Sequence, residues 1–225
     1  MAAPAAYDAY ADWYEDYIHA SDFYLVRVRA LLADMLGTGS GRCLDLCCGG
    51  GAHAAAIRDL GWTPVGVDLS LGQLGYAKTR LPAAAGDATR LPVRGGSLPA
   101  VACVLAHTDL PDYAAALREV ARVLAPGGRF VHLGLHPCFV GAFADRSDAD
   151  RIVIDTRYDE RVHTFDGWAP HGVRARVGAW HVPLADLLNA FVGAGLRIEG
   201  VAESSPNGIA DLFAVRCTVA DHPRG

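Results

Sequence analysis

The sequence predicts an α/β fold with a doubly wound, mostly parallel sheet of seven strands that ends in a C-terminal antiparallel hairpin. Three observations carry this expectation. Between residues 42 and 135, short apolar runs alternate with helical ones, as strands and their covering helices do. The first of these strands runs into its helix through three successive glycines, Gly49, Gly50 and Gly51. Two strand-like runs, 196–202 and 210–219, then close the chain around a turn-rich loop at 204–208.

Taken in order, residues 7–19 are helical in pattern and dense in aromatics. Tyr7, Tyr10, Trp13, Tyr14 and Tyr17 recur at spacings of three and four and share a face. That face either packs on the core or lies as a lid over a ligand, where a phenol can both pack and hydrogen-bond. Ser21 and Asp22 suit the cap of a second helix, 23–36, which stops at the glycine-rich stretch 37–41. Strand one is 42–46, with its helix at about 51–60. Strand two is 64–68, followed by a helix over 70–80 that Ser70 can cap. A short third strand, 83–85, ends at Gly86, Asp87 and Ala88. The fourth, 100–105, ends at Ala106, His107, Thr108 and Asp109. Asp112 opens a helix over 113–124 that Pro126, Gly127 and Gly128 terminate, and strand five is 129–135. The organisation is then an N-terminal helical lid (1–36), a core (40–136), an insertion over the sheet edge (137–182), and a final helix and hairpin (183–219).

With 225 residues the chain suits one domain with a substantial core. Its hydrophobic fraction of 52% and mean hydropathy of +0.18 come from evenly spread small residues. No run approaches the roughly 18 apolar residues of a membrane span, and the N-terminus lacks the basic start and apolar core of a signal peptide. The expectation is a cytoplasmic protein without a membrane partner. A net charge of −5 argues against a nucleic-acid partner, which demands a basic face. The six cysteines contain no C-x-x-C pair and read as small buried thiols; no metal site is expected. Oligomeric state is left open.

A strand, a glycine turn and a helix in that order let a ligand approach bare backbone at a helix N-terminus. Asp68 ends the next strand, nineteen residues after Gly49, and one carboxylate can accept both hydroxyls of a ribose. Gly49-x-Gly51-x-x-Ala54 also satisfies the dinucleotide fingerprint. The loop therefore indicates a nucleoside cofactor without choosing one.

Four segments taken together narrow the choice. They are Asp45-Leu-Cys-Cys-Gly-Gly-Gly51, Gly66-Val-Asp68-Leu-Ser70, Gly86-Asp87-Ala88 and Glu119-Val-Ala-Arg122 with the following Pro126-Gly127-Gly128. In this combination the chain resembles the class I S-adenosylmethionine-dependent methyltransferases of the Rossmann-like, small-molecule branch. The resemblance implies S-adenosylmethionine as cofactor, S-adenosylhomocysteine as product, and a small organic acceptor methylated on oxygen or, less readily, nitrogen. It implies that Asp45, Cys47, Gly49 and Gly51 hold the methionine portion, that Asp68 binds the ribose and that Leu69 packs on the adenine. It further implies that Asp87 and Ala88 bond the adenine edge, that Leu105 and Ala106 face the sulfonium end, and that Tyr14 closes over the cofactor. Cys47 departs from the family pattern, which has glycine there, and a side chain at that point crowds the methionine portion.

Methyl transfer to a hydroxyl needs alignment and a base. His107 and His136 follow strands four and five, where ligands gather in open α/β sheets, and are the tentative catalytic residues. Asp109 could orient the His107 imidazole. His163, His171 and His181 are further candidates, whereas His53 reads as helix packing. Phe139, Phe143, Trp168 and Trp180 either form an aromatic substrate wall or pack the insertion. Other readings stay open: a cyclase or carboxymethyl-transfer relative on the same fold, a non-catalytic cofactor sensor, and a nicotinamide oxidoreductase.

Overall fold

Strand β1, Arg42–Leu46, shows why the sheet forms where it does. All of its residues after Arg42 are buried, as a strand covered on both faces requires. In the computed structural model, which describes residues 5–20, 22–148, 150–166 and 171–219, β1 lies between two parallel neighbours. These are β2, Thr63–Asp68, and β4, Leu98–Val104. Beyond β2 lies β3, Ala83–Ala85, and beyond β4 lies β5, Leu124–Leu135. The hairpin strands β6, Leu196–Ser204, and β7, Leu212–Val219, complete the order β6-β7-β5-β4-β1-β2-β3. Only β7 runs against the rest, pairing antiparallel with both β5 and β6. The expected seven strands and closing hairpin are all present.

Strand order reverses between β1 and β4, so the crevice outside their carboxyl ends is where a ligand fits such a sheet. Two apolar layers hold the sheet in place. On one face Leu44, Leu46, Val101 and Phe130 pack on helix α5, Tyr113–Val123, and on the final helix, Leu184–Gly193. On the other, Cys43, Val131 and Leu133 pack on helix α2, Asp22–Leu36. The Trp62 indole N–H donates to the Gly37 carbonyl at 2.9 Å and fixes the end of α2. Among the described residues no helix is long and apolar enough to cross a membrane.

Caps behave as the residue types dictate. The Ser70 hydroxyl accepts from Gln73 N at 3.1 Å to open helix α4, Leu71–Ala77, and Asp112 accepts from Ala115 N at 2.8 Å to open α5. Two boundaries differ from the sequence expectation. The helix after the glycine turn, α3, is only Ala54–Asp59, because residues 51–53 remain in the turn. Strand β5 starts at Leu124, so Pro126, Gly127 and Gly128 lie within it: Leu124 pairs with Leu98, and the register then shifts before Arg129 pairs with Ala100. The Ser21 cap and Trp168, together with residues 1–4, lie outside the described residues.

Candidate active site

The site begins where β1 ends. Cys47, Gly49 and Gly51 take φ values of +57°, +51° and +81°, turning the chain back over the sheet edge. Gly49 N donates to Asp68 Oδ2 at 2.8 Å, and Ser70 N donates to Asp68 Oδ1 at 2.8 Å. Asp68 thus ties the glycine loop to the end of β2. Gly66 permits this arrangement: a Cβ there would lie 2.6 Å from Cys48 Sγ, so any larger residue would push the loop out of place.

Cys47 occupies a left-handed conformation that costs an L-residue about 1–2 kcal/mol. This is the physical reason for a glycine preference at the position. Cys47→Gly relieves that strain and gives back about 0.5–1 kcal/mol in unfolded-chain entropy. We expect a net gain of roughly 0.5–1 kcal/mol, seen as a melting temperature about 2–3 °C higher in thermal unfolding. An unchanged or lower value would mean that the thiol's packing outweighs the backbone relief.

Asp45 sits at the carboxyl end of β1 between Gly66 of β2 and Ala102 of β4, and is 1% exposed. Its Oδ2 has no hydrogen-bond partner among the described residues. Burial, aided by the nearby charge of Asp68, pushes its pKa up to about 7. Asp68 is also raised, chiefly by burial, with its backbone donors acting in the opposite sense. Leu69 is 59% exposed beside this edge, while Ala88 and Ala106 are buried. Asp87 is exposed, and its Oδ1 accepts from both the N and the Oγ1 of Thr89, at 2.8 and 2.7 Å.

The N-terminal segment covers this edge. Glu15, in helix α1 (Ala11–His19), pairs with Arg80, which also donates to the Gly50 carbonyl at 2.8 Å. Asp8 Oδ1 accepts from the Ser70 hydroxyl at 2.7 Å and from Gly72 N at 3.0 Å. Beside the covered loop opens a cavity of about 490 Å³. Tyr7, Tyr14, Leu105, Asp109, Arg174 and Asp211 are among its lining residues. Tyr7 and Tyr14 meet edge to face at 5.2 Å, and the Tyr7 hydroxyl donates to Asp109 Oδ2 at 3.2 Å. Leu105, directly after β4, has φ +59°, and only it and Cys47 hold positive φ without being glycine among the described residues. Both strained residues flank the crevice, where such conformations concentrate. Burial, reinforced by Asp68, pushes the Asp109 carboxyl up to about 7; its bond from Tyr7 and the charge of Arg174 partly offset this.

The histidines expected as bases are placed elsewhere. His136 is 2% exposed, with Nε2 2.7 Å from Glu203 Oε1 and Nδ1 accepting from Cys138 N at 3.1 Å. Both ring nitrogens are taken, and the ring stacks on Phe139 at 4.4 Å rather than lining the cavity. His107 is buried and turned inward, with Nδ1 unpartnered and burial lowering its pKa to about 4. It does not pair with Asp109. In the 3-10 turn His107–Asp109 the two residues are two positions apart, and at about three residues per turn they point in different directions.

Of the two readings left open for the aromatics, packing of the insertion holds for Phe143 and Trp180. Phe143 packs on His181 at 4.9 Å and Trp180 on His163 at 5.1 Å, so both serve the insertion, and Phe139 serves His136. The wall is made of tyrosines from the N-terminal segment. His53 is buried at the start of α3, as packing requires.

Three residues escaped the sequence reading. Arg174, one arginine among many in the insertion, carries no sequence signal. Asp109 was seen only as a partner for His107. His132 did carry one: it is a polar residue inside an apolar strand, buried with Nδ1 2.7 Å from the Tyr113 hydroxyl.

Residues 44–132 match the protein family described as "Methyltransferase domain". Over 89 residues the chain is 42% identical to the demethylmenaquinone methyltransferase of Mycolicibacterium gilvum, a match covering 39% of each protein. The chain thus spans about two fifths of the length of that curated relative. Among solved structures, a S-adenosylmethionine-dependent methyltransferase from Mesorhizobium loti superposes with a TM-score of 0.68 at 23% identity, covering 85% of this chain and 95% of that one. The geranyl diphosphate C-methyltransferase of Streptomyces coelicolor, solved with S-adenosyl-L-homocysteine, superposes at 0.63 and 16% identity, covering 84% and 77%. Residues 44–132 are thus similar to a methyltransferase domain, and the fold is that of the class I S-adenosylmethionine-dependent methyltransferases.

Proposed function

We propose that this protein moves a methyl group from S-adenosylmethionine to a small organic acceptor, preferentially to an oxygen. The unpartnered Asp45 Oδ2 carries this reading. A buried carboxylate oxygen without a donor calls for a cationic one, and the amino group of the cofactor's methionine portion is such a donor. Asp68 still has lone pairs for a ribose diol, exposed Leu69 offers an apolar surface to an adenine, and Asp87 and Ala88 stand at the edge beyond it. Tyr14 closes the methionine end together with Leu105 and Ala106. The cofactor, when bound, supplies an electrophilic methyl group on a sulfonium.

The remaining work falls to the chain. The cavity orients the acceptor. Asp109 takes the proton-accepting role expected of His107 or His136, because its carboxyl faces the cavity and titrates near neutrality, the range suited to a general base. With Oδ2 bonded to Tyr7, Oδ1 is the atom that receives a hydroxyl proton. The identity to demethylmenaquinone methyltransferases supports an aromatic acceptor with an apolar body. The negative net charge supports a small molecule over a nucleic acid.

Calorimetric titration tests this reading. S-adenosylmethionine and S-adenosylhomocysteine are expected to bind wild type with micromolar affinity. The Asp45 carboxyl is protonated below about pH 7 in the free protein, and a neighbouring ammonium favours its ionised form. Binding near pH 6.5 therefore expels a proton, and affinity rises as pH rises through 7. Asp45→Asn removes that proton release, detectable by repeating the titration in buffers of different ionisation enthalpy. Absence of binding by either compound overturns the reading.

A further inference from the structure

Every charged group that lines the cavity is already engaged, with one exception. Asp211 is held by Arg27 through a two-oxygen ion pair, with Arg27 Nη1 3.0 Å from Oδ2. Arg146 Nη1 donates to the Phe139 carbonyl at 2.8 Å, and Asp109 accepts from Tyr7. The exception is Arg174. Its Nη1 is buried without a hydrogen-bond partner among the described residues, and none of their carboxylates lies within 4.0 Å of its guanidinium. Its charge is nonetheless felt at Asp109, so the two groups face a common space without meeting.

A buried guanidinium N–H without a partner is unfavourable unless something completes it. The structure holds the backbone beneath this one in position. Arg174 begins a helical turn, Arg174–Val177, closed by the Gly178 N–H bond to the Arg174 carbonyl at 2.8 Å. Two residues on, the Arg176 guanidinium lies 3.9 Å above the Trp13 ring and fastens this turn to the N-terminal lid. These contacts hold the backbone that carries Arg174, and its planar fork of donors matches a carboxylate, which it can bind through two parallel hydrogen bonds.

We propose that Arg174 is the anion-binding residue of the acceptor site and that the acceptor is an aromatic carboxylic acid whose carboxylate pairs with this guanidinium. This inference rests on the methyltransferase reading and adds the chemical class of the acceptor. The tyrosines Tyr7, Tyr14, Tyr17 and Tyr24 face the aromatic body. The hydroxyl to be methylated lies toward Asp109, so one end of the acceptor is held by charge and the other by the proton acceptor.

The test compares two probes, 2-naphthoate and its uncharged counterpart 2-naphthamide, in the absence of any methyl donor. Each is titrated calorimetrically into wild type and into Arg174→Gln, alongside S-adenosylhomocysteine. Wild type is expected to bind the acid at least tenfold more tightly than the amide. In Arg174→Gln that preference disappears, while S-adenosylhomocysteine binds both proteins within twofold. Equal binding of acid and amide by wild type, binding of neither, or a preference that survives in Arg174→Gln overturns the proposal. The wild-type comparison decides by itself should the variant misfold. If S-adenosylhomocysteine binds while acid selectivity is absent, the carboxylate inference alone fails; if it does not bind, the methyltransferase reading fails as well.

Discussion

Asp68→Ala is expected to weaken S-adenosylmethionine binding at least tenfold, about 1.4 kcal/mol, as read by calorimetry. Two losses combine. The carboxylate is the proposed acceptor for both ribose hydroxyls, and hydrogen bonds to a charged group contribute more than neutral ones. It also receives Gly49 N and Ser70 N, each at 2.8 Å. Without it the glycine loop loses its side-chain tie to β2 and keeps only the Cys48 N–H bond to the Val67 carbonyl at 3.2 Å, so the cofactor must order more of the loop on binding. Asp68→Asn separates the two effects: an amide keeps one acceptor oxygen, so it can hold one of the backbone donors and one hydroxyl at most. Its affinity should fall between wild type and alanine. An Asp68→Ala protein that binds within twofold of wild type would leave Asp68 a purely structural role.

Phe191→Ala should produce the largest loss of stability. Phe191 is fully buried in the final helix, and its ring meets Tyr113 at 6.4 Å, Phe130 at 6.1 Å and His132 at 5.5 Å. Truncation removes the transfer free energy of the ring and leaves a cavity that β5 and α5 cannot fill. Such changes cost about 3–5 kcal/mol. For a chain of this length each kcal/mol lowers the melting temperature by roughly 2–4 °C, so a fall of about 10 °C is expected in thermal unfolding. The effect extends toward the site, because the same cluster supports His132 and, through it, His107, whose rings lie 4.9 Å apart. A fall of less than about 3 °C would show that the neighbouring side chains collapse into the space.

The glycine loop of this protein was legible in its sequence, because its requirements are local. The glycine loop depends on backbone conformations that only certain residues tolerate, and Gly49, Gly51 and Asp68 declare them within some twenty positions. The departure at Cys47 was legible for the same reason, and the structure supplies its cause in the residue's positive φ. Strand β5 shows the limit of such local reading. Proline and two glycines look like a break, yet pairing with β4 draws them into the strand.

The acceptor side was not legible. Tyr7 and Asp109 stand 102 positions apart and Arg27 and Asp211 stand 184 apart, yet each pair meets at the cavity wall. Residue types alone pointed to His107 and His136, but Glu203 and the Cys138 backbone occupy the nitrogens of His136. Arg174 was indistinguishable from its neighbouring arginines until burial left its Nη1 without a partner. The sequence by itself thus determined the strand order's ingredients and the glycine loop, since those follow from neighbouring residues and backbone sterics. Only the tertiary structure decided which titratable groups face the cavity, because burial, orientation and pairing are properties of segments brought together from across the chain.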